Sequence, residues 1–216
     1  MRLRPLLFVL AVLTAFACQK RAADGARQLA PSSQLPAEVT GTLAGLDPEA
    51  EFTDIRARTL PAVNGRVPSQ LVAKLKFAPQ FDAKNRVVAL VPESWVMGDA
   101  PGMLKPPPDA DLGAATSIAF GSACDGRCAP KDWAKSFDKV EVSALPVQSV
   151  DSDEPIGKFG RVIVARSGDV RYIVAGVWKP DSARYFYCRA TLEGQAIDAL
   201  QAFVSACRAM DVRRWE

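Results

Sequence analysis

The 216-residue chain contains no histidine. That absence excludes the Ser-His-Asp and Cys-His couples and every histidine-ligated metal site. General acid–base chemistry would fall to carboxylates, lysine, tyrosine or cysteine. Glycine-rich phosphate cradles and a G-x-S-x-G elbow are missing as well. The apolar run from Leu6 to Ala17 falls short of the ~20 residues that a bilayer-spanning helix requires. A dominant charge is also lacking, with 27 basic against 24 acidic residues. Leaving out Arg2 and Arg4, which precede the apolar run, lowers the net charge from +3 to +1. Nothing in that balance calls for nucleic acid as a partner.

What is present starts at the N-terminus. Arg2 and Arg4, the short apolar run, and small Ala15 and Ala17 have the order of a secretory signal over residues 1–17. Cys18 follows directly, and Leu13 to Cys18 resembles the lipobox of bacterial lipoproteins. The resemblance implies a diacylglyceryl group on the Cys18 thiol and hence a stable membrane anchor. Gln19, in place of the Asp that retains such lipoproteins at the inner membrane, implies the periplasmic face of the outer membrane.

Residues 18–50 are rich in Ala, Gln, Pro, Ser and Gly without sustained periodicity. Such a stretch buries too little apolar surface to offset its ordering entropy, so a flexible tether is expected. One α+β domain over residues 51–216 should follow. Strands are expected at 52–60, 70–77, 86–91, 116–120 and 140–147, with a long loop at 98–113. Pro130 and Asp132 suit the start of a short helix that buries Trp133 and Phe137, four residues apart. Three β-rich runs, 161–166, 170–178 and 184–192, predict an antiparallel meander. Gly168-Asp169 forms its first tight turn and Pro180-Asp181 its second. Ile197, Leu200, Val204 and Cys207 repeat at helical spacing, so a final helix should close over the sheet.

Alternation along the last strand puts Phe186, Cys188, Ala190 and Leu192 on one face. Cys188 and Cys207 then meet between strand and helix and predict a disulfide in an oxidising compartment. Its loop of about twenty residues is worth ~3 kcal/mol. Cys124 and Cys128 are spaced C-x3-C, unlike a thioredoxin-type site, and read as a second disulfide pinning an exposed loop. Redox use of that pair and a four-cysteine zinc site are the alternatives.

Asp151-Ser152-Asp153-Glu154 lacks the glycine and distal glutamate of a calcium loop and reads as a solvated acidic turn. Asp109 and Asp111 have no fixed spacing to a third carboxylate. A partner-binding face is expected from Tyr185, Tyr187 and Arg189, with Arg171 and Arg184 near, because Tyr and Arg anchor interfaces. The competing reading has that sheet face covered. Asp125 and Arg127 on the cysteine loop are a second candidate contact.

From residue 86 the order is strand, Pro92-x-x-Trp95, loop, strand, helix, strand, meander, closing helix. This order resembles the PsbP-like α/β/α sandwich, which implies non-catalytic binding or adaptor work by analogy only. The expectation is therefore a non-enzymatic periplasmic lipoprotein, without cofactor or metal, that binds another protein. The sharper form is an inhibitor or immunity protein against a secreted toxin or an envelope hydrolase. Two alternatives stand beside it: an envelope assembly or lipid and small-molecule carrier with a pocket under loop 98–113, and a thiol-disulfide protein using Cys124 and Cys128.

Overall fold

The computed structural model describes residues 55–82, 87–123, 131–179 and 184–212. Two antiparallel sheets and a few short helices build an α+β fold. The larger sheet has seven strands: β3 (Val96–Met97), β4 (Met103–Lys105), β5 (Ser117–Ala123), β6 (Ser149–Ile156), β7 (Gly160–Ser167), β8 (Val170–Lys179) and β9 (Arg184–Leu192). Their spatial order is β3-β4-β5-β9-β8-β7-β6, so β9 lies near the middle and β3 and β6 are the edges. A smaller sheet joins β1 (Phe77–Asp82), β2 (Val87–Pro92) and β10 (Asp211–Val212), with β2 central as its continuously apolar run requires.

The meander follows the sequence closely. Ser167 pairs with Val170 across Gly168-Asp169, and Gly168 has φ +56°, the value a tight turn with glycine first demands. Residues 180–183, with the expected second turn, lie outside the described residues.

Each face of the large sheet has its own apolar layer. On one side Ile173, Ala175, Phe186, Cys188, Ala190 and Leu192 pack against α3 (Leu200–Arg208) and the small sheet. Phe203 is the hub of that layer, its ring 5.2 Å from Phe77 and 5.6 Å from Trp95. Cys188 and Cys207 form the predicted disulfide there, with an S–S distance of 2.06 Å. The final helix buries Val204 and Cys207 as expected, but its buried face is wider than the expected stripe. Ala199, Ala202, Phe203 and Ala206 are fully buried, while Ile197 and Leu200 are only half-buried at its margin.

On the other side α2 (Trp133–Phe137) lies across the sheet, burying Trp133 and Phe137 against Ile163, Val174, Trp178 and Tyr185 as their spacing requires.

Four sequence expectations are corrected. Of the expected strand at 52–60, the described residues 55–60 are not extended: Ile55–Thr59 is a helical turn leading into α1 (Leu60–Asn64), where Pro61 fits the first turn. Residues 70–74 form helical turns and the strand begins only at Phe77; Leu71 and Leu75, four apart, are both buried, a spacing that suits a helical face as readily as a strand face. Residues 140–147 likewise begin in a helical turn, Asp138–Val142, which continues α2. The acidic segment at 151–155 is the edge strand β6 and not a turn. Its carboxylates are held by arginines: Asp153 by Arg161 and Asp151 by Arg166 of the neighbouring strand β7, and Glu154 by Arg208 of α3. Within loop 98–113, β4 and a single tight turn at Pro108–Ala110 add local order.

Candidate functional site

Tyr185, Tyr187, Arg189 and Thr191 do share one face of β9, opposite to Phe186 and Cys188. That face is not an open surface at Tyr185, which is 0% exposed. The turn Asp138–Val142 brings Glu141 down onto the sheet, where it is 1% exposed. Tyr185 Oη donates to Glu141 Oε1 at 3.1 Å, and the Arg189 guanidinium pairs with Oε2. Arg189 also stacks over the Tyr187 ring, 4.9 Å from its centroid. Burial, and next the adjacent Glu141 carboxylate, push the Tyr185 phenol well above its ordinary pKa. A buried carboxylate needs a cation and a hydrogen-bond donor close by, and this face supplies both. Tyr185 is therefore a buried support and not an interface anchor.

The expected five-residue patch does not assemble. Arg171 stands opposite Leu192 and Arg184 opposite Lys179, at the two ends of the β8–β9 pair, and alternation puts both on the face away from Tyr187 and Arg189. Arg171 donates to the Gly168 carbonyl at 3.2 Å and lies 3.9 Å from Asp151. Arg184 reaches Ser122 Oγ at 3.5 Å. Cys18, Cys124, Asp125, Arg127 and Cys128 lie outside the described residues.

A second region stands out at the β3 end of the sheet. Val96 is 51% exposed and Met97 65%, the most exposed large apolar pair in consecutive positions among the described residues. Val96 is opposite Lys105 and Met97 opposite Leu104. Lys105 holds Asp99 at 2.5 Å and thereby keeps that carboxyl below its ordinary pKa. A pocket of about 340 Å³ is lined by Lys105, Pro106, Pro107, Pro108, Asp111, Leu112 and Thr116.

The pocket wall is pinned from behind. Thr116 Oγ1 donates to the Leu112 carbonyl at 2.7 Å and accepts from Glu193 N–H at 3.1 Å. Gly113 has φ +98° and sits so close to Glu193 that a Cβ would come within 2.7 Å of its backbone. Asp111 adopts a left-handed φ of 49°, the one non-glycine case among the described residues. This is the location the carrier alternative named.

Glu141, Val96 and Met97 were missed by sequence reasoning. A signal for Glu141 existed, since it lies four residues after Phe137, as Phe137 lies four after Trp133.

No family model and no curated protein sequence matches this chain. Among solved structures, it is similar to the Saccharomyces cerevisiae Ran-binding protein Mog1p, with a TM-score of 0.46 and 9% identity over 65% of this chain and 97% of that one. A point mutant of protein Mog1 gives a TM-score of 0.45 at 9% identity, covering 64% and 96% of the two chains.

Proposed function

We propose that the protein is an exported lipoprotein, held at the periplasmic face of the outer membrane through Cys18, whose domain binds another protein. The sharper form is an inhibitor or immunity protein that blocks a secreted toxin or an envelope hydrolase. One observation carries this reading: the Cys188–Cys207 disulfide sits in the main core, joining a central strand to the closing helix. Such a bond belongs to an oxidising compartment, and the leader ending at Cys18 is the kind of segment that delivers a chain there. Absence of histidine and a near-neutral charge favour gripping a partner over general acid–base chemistry.

The test has two arms. Metabolic labelling with palmitate should mark the wild-type chain and not a Cys18→Ala variant, with the label in outer-membrane fractions. Capture from periplasm should recover one stoichiometric partner, and deletion should sensitise cells to a secreted toxin. Unlabelled, cytosolic, reduced protein would overturn the reading.

A second reading, a carrier of a lipid or small molecule, draws on the pocket beside Lys105, whose volume lies at the low end of ligand-pocket sizes. Native mass spectrometry of protein purified from its own envelope would show the bound mass; bare protein counts against it.

A further inference from the structure

The small sheet ends at β1, and one side chain completes that edge. Glu93 N–H donates to the Lys76 carbonyl at 2.9 Å, and the same register continues into Phe77↔Pro92. Hydrogen bonding alternates along an antiparallel pair, so the N–H and C=O of Phe77 point away from β2. Asn64 takes both. Its Oδ1 accepts from Phe77 N–H at 2.8 Å, and its Nδ2 donates to the Phe77 carbonyl at 3.2 Å. A carboxamide suits this place because it carries an acceptor and a donor side by side. The clamp ties the end of α1 to the start of β1, where the buried Phe77 ring packs on Phe203.

The residue after Asn64 makes this clamp chemically vulnerable. Of the two asparagines in the chain, Asn64 and Asn85, only Asn64 precedes a glycine. Without a Cβ, Gly65 leaves its backbone nitrogen unshielded toward the preceding side chain. When that nitrogen attacks Asn64 Cγ, the N–Cγ bond forms and the Cγ–Nδ2 bond breaks. Nδ2 leaves as ammonia, carrying the proton from Gly65 N–H. Water then opens the cyclic imide at either carbonyl, giving aspartate or isoaspartate without oxidation or reduction.

The folded chain blocks the first step twice. Gly65 N–H donates to the Pro61 carbonyl at 2.9 Å, within a helical backbone of φ −66° and ψ −12°. The leaving nitrogen, Nδ2, is held on the Phe77 carbonyl. Attack therefore requires the last turn of α1, a five-residue helix, to open. The product cannot restore the clamp. A carboxylate has no donor for the Phe77 carbonyl, and isoaspartate lengthens the main chain.

We infer that Asn64-Gly65 is a modification site guarded by the fold. It is silent while the α1–β1 clamp is shut, and it converts an opened chain into one whose clamp no longer closes.

The test holds the full-length, disulfide-intact chain at mildly alkaline pH with and without guanidinium chloride. Trypsin then releases the peptide Thr59–Arg66 for mass spectrometry. Asn64 is the one side-chain amide in that peptide, so the mass gain of amide hydrolysis reports it alone. The unfolded chain should modify this peptide, and the folded chain should do so at least about tenfold more slowly. Gly65→Ala in denaturant should slow the reaction by about the same factor, which identifies the imide route. Asn64→Asp should quicken amide exchange at Phe77 and lower the melting temperature. The comparison with denaturant uses the wild-type chain and stands whether or not that variant folds. The inference is overturned if folded and unfolded chains react equally fast, or if the peptide stays unmodified in denaturant. Gly65→Ala reacting as fast as wild type, or Asn64→Asp keeping the wild-type exchange rate at Phe77, would overturn it as well.

Discussion

The ring of Phe137 rests directly on Gly176, so closely that a Cβ built on that glycine would come 2.5 Å from the ring. Gly176 pairs with Tyr187 in the central part of the sheet, and Phe137 is the inner end of α2. The bare glycine therefore sets how near the helical cover lies to the strands. With any side chain there, α2 would lift and the buried contacts of Trp133 and Glu141 would loosen. Gly176→Ala should destabilise by about 1–3 kcal/mol, the usual cost of overpacking, and lower the midpoint of thermal unfolding by several degrees. An unchanged midpoint would show that the cover is not seated as described.

Glu141 gives a sharper test of the same cover. Glu141→Ala removes the partner of Tyr185 Oη and of Arg189 together. Arg189 is partly exposed and keeps some hydration, so the loss should be about 2 kcal/mol, below that of a fully buried pair. A double-mutant cycle of Glu141→Ala with Tyr185→Phe should show coupling between them, and additivity would refute the contact.

Alkaline titration reads out the Tyr185 environment. Its folded-state pKa is raised, first by burial, so the folded form holds its proton where the unfolded form releases it. The stabilisation is complete below the unfolded value of about 10 and declines as pH rises from there toward the folded value. Absorbance at 295 nm should show Tyr185 ionising only on unfolding. Tyr185→Phe should abolish that delayed step.

Acid acts at the opposite edge. The Arg161 hydrogen bonds keep the Asp153 carboxyl below its ordinary pKa of about 3.9. Stability from this pair is present above that value and is lost as pH falls toward the folded one. Both side chains are substantially hydrated, so Asp153→Asn should cost below about 1 kcal/mol at neutral pH and flatten the acid limb of the stability curve. Amide exchange along β6 should quicken first.

Reduction of Cys188–Cys207, or its replacement by serines, should cost about 3 kcal/mol for a closed loop of this size. Urea midpoints with and without a reductant measure it.

The meander, its first turn, the face alternation of β9 and the Cys188–Cys207 pair were all legible in the sequence because each depends on local period and short-range pairing. The helical turns before Phe77 were not. Leu71, Ala73, Leu75 and Phe77 fit period two, yet Leu71 and Leu75 equally fit one helical face, and tertiary packing decided. The acidic segment misled because its charges are neutralised by arginines across the β6–β7 pairing and, for Glu154, by Arg208 of α3, 54 residues away. The binding face misled for the same reason: Glu141 is 44 residues before Tyr185 and 48 before Arg189. Apolar period marks where a strand lies, but only a long-range partner tells whether its second face is roofed. Exposure of Val96 and Met97 followed from strand pairing, which no short window encodes.

The union of α3 to the mid-sheet has a mechanical corollary. After Cys207 the chain runs to β10, whose two residues pair with β2. A pull on the tail would peel those two rungs and then stop at the sulfur bridge, transferring load to β9 in the interior. In an optical trap, oxidised molecules should yield a short first extension and then hold, whereas reduced ones should unravel through α3 without a pause.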